Sequence, residues 1–299
     1  MSKKLDWLRG SFTPIVTPLR GGKIDYASFE RLVEHQIAGG SHGILVNGTT
    51  AEPSLLTLSE RNELAAVAVN AAGGRMPVIV ATGSQSLEET LVLTESAARS
   101  GAAAVLVVTP YYVKPPAAGL VEYYAKVGAS VDIPLLLYHI PGRAAVSVNV
   151  DTLCAIKDRV PHFVGMKHAV NDLALVTEAL AKLTPDFRVF VGLEELSFPM
   201  LAVGAAGLMN AVGNLLPAKV ATLCETVRAG DLEAARRIHF ELFELNQAIF
   251  FETNPIPLKY MMKKLGLLEL NEHRLPMISA SAKLAERLDQ VLRRAGLIV

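Results

Sequence analysis

The stretch His162-Phe163-Val164-Gly165-Met166-Lys167 reads as a buried β-strand that ends in a lysine. A short apolar run of this kind is typical of a strand covered on both faces. A charged side chain at its end is hard to solvate, and an ammonium group in a poorly hydrated pocket loses its proton more easily. The neutral amine can then attack a carbonyl carbon to form a Schiff base, so Lys167 is the first catalytic candidate.

Similar short apolar runs recur along the chain, with helix-like segments between them. About eight strands in parallel-type alternation predict an α/β protein of the (β/α)8 TIM barrel class. The runs are residues 11–17, 43–47, 77–81, 104–109, 134–140, 162–167, 188–192 and 207–212. A doubly wound sheet is the structural alternative, although no Gly-x-Gly-x-x-Gly sequence follows the first run.

The last part of the chain carries helical signals only. After about residue 230 the strand pattern stops, and residues 231–247, 256–265 and 279–295 have helical spacing. We therefore expect a barrel catalytic domain over residues 1–230 and a C-terminal helical region over residues 231–299. Within the barrel, Thr57 and Glu60 have the spacing of a capping box at a helix start.

Charge and hydropathy exclude several classes of partner. Lys and Arg total 29, as do Asp and Glu, so the formal net charge is zero, and the pI is about 7.1. Such a chain has no long-range field to attract nucleic acid or an anionic membrane. Hydrophobic residues make up 51% of the chain, but runs such as residues 102–108 are too short to span a bilayer.

The cysteines and the N-terminal residues set expectations about location. Cys154 and Cys224 lie in helix-like segments without Cys-x-x-Cys or Cys/His spacing, so we expect neither a disulfide nor a zinc site. Residues 1–7 carry positive charge but lack the apolar stretch of a signal peptide. We expect a cytoplasmic protein.

Polar residues cluster where the predicted strands end, which is where reactive groups of a (β/α)8 barrel lie. The second run ends in residues 47–52, the fourth in residues 109–112, the fifth in residues 138–143 and the sixth in Lys167. These stretches supply hydroxyl, phenol, guanidinium and amine groups at one edge of the barrel. A shared site at that edge is the prediction.

Strand phase predicts which side chains face the barrel interior, since side chains alternate along a strand. If Lys167 points inward, so do Gly165 and Phe163, and the glycine leaves room for the lysine stem. Tyr138 then also faces the interior and can reach Lys167. The neighbouring histidines, His139 and His168, are expected to point outward.

Together these groups suggest imine chemistry on a 2-oxo acid. Lys167 forms the imine, the hydroxyl and backbone N–H groups of Thr49 and Thr50 hold the carboxylate, and Tyr138 moves protons. Arg143 at the mouth can hold a carboxylate of a second substrate. No metal or organic cofactor is needed. Taken singly, each side chain also has an ordinary structural interpretation as a solvated, packed or capping residue.

Five stretches occur together and in a specific order. They are Gly48-Thr49-Thr50-x-Glu52, Thr109-Pro110-Tyr111-Tyr112-x-Lys114-Pro115, Tyr138-x-Ile140-Pro141-x-Arg143, Val164-Gly165-Met166-Lys167 and Asn254-Pro255-Ile256-Pro257-x-Lys259. With them the chain resembles the dihydrodipicolinate synthase/N-acetylneuraminate lyase family over nearly its whole length. The resemblance implies a (β/α)8 barrel with a C-terminal helical region, usually a homotetramer, that uses pyruvate as donor.

The resemblance implies catalytic roles for four residues. Lys167 corresponds to the Schiff-base lysine and Tyr138 to the catalytic tyrosine. Thr49, Tyr112 and Tyr138 resemble the proton relay of the synthase branch, in which the tyrosine at the position of Tyr112 enters a neighbouring subunit's site. These four are the predicted catalytic residues.

Substrate-binding roles are implied for a second set. Thr50 and Met209 match positions whose backbone groups contact pyruvate, and Arg143 matches the arginine that receives the carboxylate of the aldehyde substrate. Gly192 is predicted as a further substrate-binding position. The segment 254–259 belongs to the helical region and is expected to be structural.

The leading functional prediction is a dihydrodipicolinate synthase-like enzyme that condenses pyruvate with aspartate semialdehyde. Departures from the family pattern keep a catabolic class I aldolase or dehydratase for a 2-oxo acid, such as a 2-keto-3-deoxy sugar acid or a 2,4-dihydroxyhept-2-enedioate, as the alternative. The departures are Ala51, Pro53, His139 and His168. Lysine-inhibited relatives carry histidines where this chain has Leu58 and Arg61, so we expect weak or absent inhibition by lysine.

Two further hypotheses come from other classes. A metal-dependent aldolase would use His139, His168 and carboxylates such as Glu52 or Glu194, but the predicted strand phase argues against it. A non-catalytic descendant would keep the barrel for ligand sensing, although intact Lys167 argues for an enzyme.

Overall fold

The computed structural model describes residues 5–183 and 185–299; residues 1–4, on which the expectation about a signal peptide partly rests, lie outside the described residues. Within the described ranges the strands are β1 (Gly10–Pro14), β2 (Leu19–Arg20), β3 (Lys23–Ile24), β4 (Gly43–Val46), β5 (Val78–Ala81), β6 (Ala104–Val108), β7 (Leu135–His139), β8 (Phe163–His168), β9 (Arg188–Val191) and β10 (Gly207–Leu208). Eight of them are parallel and close a barrel in the order β1-β10-β9-β8-β7-β6-β5-β4, and β4 pairs back with β1. The predicted barrel is confirmed, and β2 and β3 form a separate antiparallel hairpin.

Helices fill the connections between barrel strands and form the C-terminal region. They are α1 (Tyr26–Ala38), α2 (Leu58–Ala72), α3 (Leu87–Arg99), α4 (Ala117–Ala129), α5 (Pro141–Ala144), α6 (Val150–Arg159), α7 (Leu173–Leu183), α8 (Ser197–Ala202), α9 (Pro217–Arg228), α10 (Leu232–Ala248), α11 (Ile256–Lys264) and α12 (Ala282–Arg294). The predicted capping box is present, because the Thr57 side chain accepts from the Glu60 N–H and the Glu60 carboxylate accepts from the Thr57 N–H. The division at residue 230 stays a prediction.

Alternation along the strands separates two apolar cores. Inward side chains from neighbouring strands, including Phe12, Leu136 and Phe190, pack inside the barrel, where the rings of Phe12 and Phe190 meet edge to face at 5.5 Å. Outward side chains such as Leu137 and Met166 join the larger core between strands and helices. Burial on both faces explains why the strands read as continuous apolar runs.

The predicted phase of β8 is wrong at its start. Leu135 pairs with Phe163, whereas Leu136 pairs with Gly165, so Val164 is an extra residue in a β-bulge. Phe163 consequently packs in the outer core and Val164 in the inner one.

The prediction for Gly165 also needs correction, since this glycine does not make room for the lysine. A Cβ on it would lie 2.2 Å from the carbonyl oxygen of Arg188 on the neighbouring strand. Its missing side chain therefore allows close approach of two backbones.

Among the helices of the two described ranges, none is both long and apolar enough to cross a membrane.

Candidate active site

Lys167 lies at the end of β8 with its side chain inside the barrel and 4% of its surface exposed. Its ammonium nitrogen is 4.6 Å from the centre of the Tyr138 ring, and the two residues are direct partners in the parallel pairing of β7 and β8. This proximity confirms the predicted inward phase of both side chains. A cation so close to a ring face is attracted to it, which helps to hold the lysine head group beside Tyr138.

Gly192 supplies the room for the lysine stem. A Cβ on this residue would lie 2.5 Å from Lys167 Cε and 3.2 Å from Lys167 Cγ. Gly192 comes directly after β9, and its N–H donates to the carbonyl oxygen of His168. The glycine therefore allows the end of β9 to pack directly against the lysine side chain. A larger residue at this position would displace that side chain.

The two predicted threonines lie on a short 3-10 turn, Thr49–Ala51, that follows β4. Thr49 Oγ1 is 3.2 Å from the hydroxyl of Tyr138. Thr50 is buried, and its Oγ1 accepts a hydrogen bond of 3.0 Å from the Asn254 side chain. Thr17 fixes the end of the turn by donating to the Ala51 carbonyl oxygen at 2.8 Å.

A cavity of about 340 Å³ opens above these groups at the carboxyl ends of the strands. Its lining includes Thr49, Tyr111, Tyr138, Arg143 and Asn254. The exposed Arg143 guanidinium reaches the carbonyl oxygen of Asn254 at 3.4 Å. The cavity is thus lined by the hydroxyl groups of Thr49 and Tyr138 and by the guanidinium of Arg143.

Met209 and Tyr112 differ in how they relate to the cavity. Met209, directly after β10, is buried in the interior core to which Tyr138 also belongs. Tyr112 is 90% exposed, with a positive φ of 74°, and its neighbour Tyr111 lines the cavity instead. The structure therefore brings Lys167, Tyr138 and Thr49 together but leaves Tyr112 outside the cavity of its own chain.

His139 and His168 face the outer core, behind the cavity. Their Nδ1 atoms are 3.2 Å apart, and His139 Nε2 accepts from the Val148 N–H. A neutral His139 therefore carries its proton on Nδ1 and donates it to His168. Burial, reinforced by the neighbouring imidazole of His168, lowers the pKa of His139 to about 4, while Asp172 opposes the shift. Their outward phase is as predicted.

Glu194 is a residue whose position sequence reasoning missed, because it was weighed only as a metal ligand. It lies in the loop after β9, 1% exposed, and its Oε1 accepts from the Ala211 N–H at 2.6 Å. Among the described residues its Oε2 has no partner. Burial raises the pKa of Glu194 to about 7, against the Ala211 N–H and the charge of Lys167, which lower it. The one sequence signal is an acidic pair two residues after Gly192.

A closed parallel barrel with a buried amine beside a phenol and a hydroxyl is typical of the class of lysine-dependent barrel enzymes. The model of the dihydrodipicolinate synthetase family matches residues 7–295. The chain belongs to this family. Membership confirms the predicted family, fold and enzyme class, a Schiff-base-forming lyase or synthase of the dihydrodipicolinate synthase-like kind. The roles of individual residues stay predictions.

Similar proteins span the same length. The 4-hydroxy-tetrahydrodipicolinate synthase of Thermus thermophilus is 46% identical over 97% of both chains, and that of Thermodesulfovibrio yellowstonii is 39% identical over 97% of this chain and 99% of the relative. The crystal structure of dihydrodipicolinate synthase from Aquifex aeolicus covers 97% of this chain and 98% of its own, with a TM-score of 0.95 and 36% identity.

Proposed function

We propose that this chain condenses pyruvate with aspartate semialdehyde, as a 4-hydroxy-tetrahydrodipicolinate synthase does. The observation that carries the proposal is the buried Lys167 amine lying 4.6 Å from the ring of Tyr138, whose hydroxyl is 3.2 Å from Thr49 Oγ1. A nucleophilic amine with a proton-transfer group beside it is what imine chemistry requires. The names of the relatives support the choice of substrates.

In the proposed mechanism the Lys167 amine attacks C2 of pyruvate, and loss of water gives the imine. Loss of a proton from C3 then gives an enamine, whose C3 attacks the aldehyde carbon of the second substrate. Tyr138 and Thr49 carry the protons that leave the amine and reach the departing and newly formed hydroxyl groups. In the last step the amino group of the aspartate semialdehyde part attacks C2, which closes the ring and displaces the Lys167 amine, so that the free enzyme returns. No step needs an oxidant, a reductant or a metal.

The remaining predicted groups are assigned to the binding of the two substrates. The Thr50 end of the turn and the backbone at Met209 and Gly192 hold pyruvate beside Lys167. Arg143, exposed at the cavity mouth, receives the carboxylate of aspartate semialdehyde through a paired hydrogen bond.

The departures from the family pattern weigh less against a synthase once the fold is known. His139 and His168 pack in the outer core and contact each other, so they do not shape the acceptor site. Ala51 is buried, and only Pro53 of the changed positions lines the cavity. The acceptor subsite therefore keeps most of its predicted polar groups.

Assembly and location follow as further proposals. We expect a homotetramer in which Tyr112 completes a neighbouring subunit's relay, because its ring is 90% exposed and away from its own cavity. Phe240, Phe243 and Phe250 also expose aromatic surface along and just after α10, as an assembly interface would. A cytoplasmic location fits the neutral charge and the substrates. Sedimentation velocity of the wild type and of Phe240→Asp tests the assembly.

Reductive trapping tests the proposed chemistry. Incubation with pyruvate and borohydride should add the mass of the reduced pyruvyl group at Lys167, and an unmodified Lys167 would overturn the proposal. A coupled assay for aspartate semialdehyde condensation, run beside cleavage assays on hydroxylated 2-oxo acids, separates a synthase from a catabolic aldolase. Activity that persists in strong chelator would argue against the metal-dependent alternative.

A further inference from the structure

The turn that carries Thr49 and Thr50 is fastened to the C-terminal region by buried polar contacts. Glu52, which ends the turn, accepts hydrogen bonds from Lys259 Nζ at 2.7 Å and from His273 Nδ1 at 2.9 Å. Asn254 donates to Thr50 Oγ1 from the same region of the chain. Both partners of Glu52 have fully buried side chains. The C-terminal region therefore binds the turn at two residues, Thr50 and Glu52.

The buried ion pair of Glu52 and Lys259 is not explained by its contribution to the free energy of unfolding. Removing two charges from water costs about as much as their attraction returns, and an apolar pair of similar volume often stabilises a protein equally well. Glu52 also adopts a left-handed backbone conformation, with φ of 57°, which a glycine would adopt with less strain. A carboxylate in this position needs a reason beyond packing.

The same lysine extends the connection to a third element. Lys259 Nζ donates to the carbonyl oxygen of Glu272 at 2.8 Å, and the Glu272 carboxylate accepts from the N–H of Gly21 at 2.8 Å in the β2–β3 hairpin. Lys259 thus binds the turn and the backbone of Glu272, and the side chain of Glu272 binds the hairpin. The turn and the hairpin are therefore both held by the same stretch of the C-terminal region.

We propose that Glu52, Lys259 and Asn254 are positioning residues, which set the Thr49–Thr50 turn at the distance from Tyr138 that proton transfer and carboxylate binding require. The proposal rests on the proposed function, because it assigns the turn to pyruvate binding and proton transfer. None of the three is argued to touch the reacting atoms. A displacement of about 1 Å in such a turn can cost on the order of a hundredfold in rate.

Glu52→Gln and Asn254→Ala test the proposal, since the first keeps the shape of the side chain and the second removes the amide that donates to Thr50. We expect each to raise KM for pyruvate about tenfold and to lower kcat by about the same factor, while circular dichroism shows a folded chain. Tyr260→Phe is the matched control: it removes a hydrogen bond of 2.9 Å to Asp289 within the same C-terminal region, so both constants should stay within about twofold.

A double-mutant cycle separates positioning from a general structural role. In a Thr49→Val background, Glu52→Gln should lower kcat much less than in the wild type, because the group that it positions is already gone. Full additivity, or variants with wild-type KM, kcat and trapping rate, would overturn the positioning role. If wild-type Lys167 is not labelled by pyruvate and borohydride, the proposed function fails instead, so the two failures are distinguishable.

Discussion

The hydroxyl oxygen of Thr49 lies 3.2 Å from that of Tyr138, although the two residues are 89 positions apart in the chain. β4 and β7 bring them together because both strands end at the same edge of the barrel. Either hydroxyl can donate to the other, which is the property that a two-way proton relay needs.

Loss of this hydroxyl contact should slow turnover more than binding. Tyr138→Phe is expected to lower kcat about 100- to 10,000-fold, the usual range for a proton-transfer group, with a smaller change in KM for pyruvate. Tyr124→Phe is the control, because it removes another buried phenol, whose hydroxyl donates to the Val107 carbonyl oxygen in the outer core. Steady-state assays of both variants measure the two effects. A kcat of Tyr138→Phe equal to that of Tyr124→Phe would exclude the relay.

A methyl group at Gly192 should displace the lysine stem. Because an added Cβ would lie 2.5 Å from Lys167 Cε, we expect Gly192→Ala to slow borohydride trapping at saturating pyruvate about 10- to 100-fold. Gly142→Ala serves for comparison, since a Cβ there meets nothing within 4 Å. Unchanged trapping by Gly192→Ala would mean that the stem repacks freely.

The buried histidine pair should destabilise the protein in mild acid. The pKa of His139 is lowered to about 4, so between pH 6.5 and 4 only the unfolded chain takes up this proton. The stability that the neutral ring preserves is complete above pH 6.5 and falls as the pH drops, by about 3 kcal/mol in all.

Comparison with His139→Asn isolates that effect. The difference in the free energy of unfolding in urea between wild type and variant should shrink by about 2 kcal/mol from pH 6.5 to pH 5. A difference that does not change with pH would show that the histidine pair is not the titrating group.

Glu194 should have the opposite pH dependence. Its pKa is raised to about 7 in the folded chain, so the folded state holds a proton that the unfolded state has lost above about pH 4.5. Stability is therefore lost as the pH rises from 4.5 through 7. Glu194→Gln, which cannot ionise, should gain about 3 kcal/mol relative to the wild type between pH 4.5 and pH 8 in urea unfolding. A constant difference would contradict this.

Breaking the buried ion pair on one side should be costly. Lys259→Met leaves the Glu52 carboxylate buried without its cation, and we expect a loss of about 3–5 kcal/mol in the free energy of unfolding. Arg294→Gln removes an exposed pair with Glu244, which solvent screens, so this variant should lose far less stability. Chemical denaturation of both variants checks the contrast, and equal losses would refute it.

The sequence was sufficient for the barrel and for the central trio. Eight apolar runs, four of which end in polar residues, specify a closed parallel sheet, and the geometry of such a sheet brings Thr49, Tyr138 and Lys167 to one edge without further information.

The sequence did not predict the β-bulge in β8 or the contacts between residues far apart in the chain. The bulge at Val164 has no compositional signal, so counting alternation back from Lys167 assigned Phe163 to the wrong face. Glu52 lies 207 positions from Lys259 and 221 from His273, and periodicity within a segment does not identify such partners. Gly192 stays a predicted substrate contact, but its packing against Lys167 could not be predicted, because it depends on how β8 and β9 approach each other.

The junction at Lys259 also bears on recombination between relatives. In a chimaera that exchanges residues 231–299, the lysine, asparagine and histidine that contact the turn come from one parent and residues 49–52 come from the other. If the two parents differ at these positions, a buried charge is left without its partner. Crossover libraries built from this family should therefore inherit residues 49–52 and the C-terminal segment from the same parent.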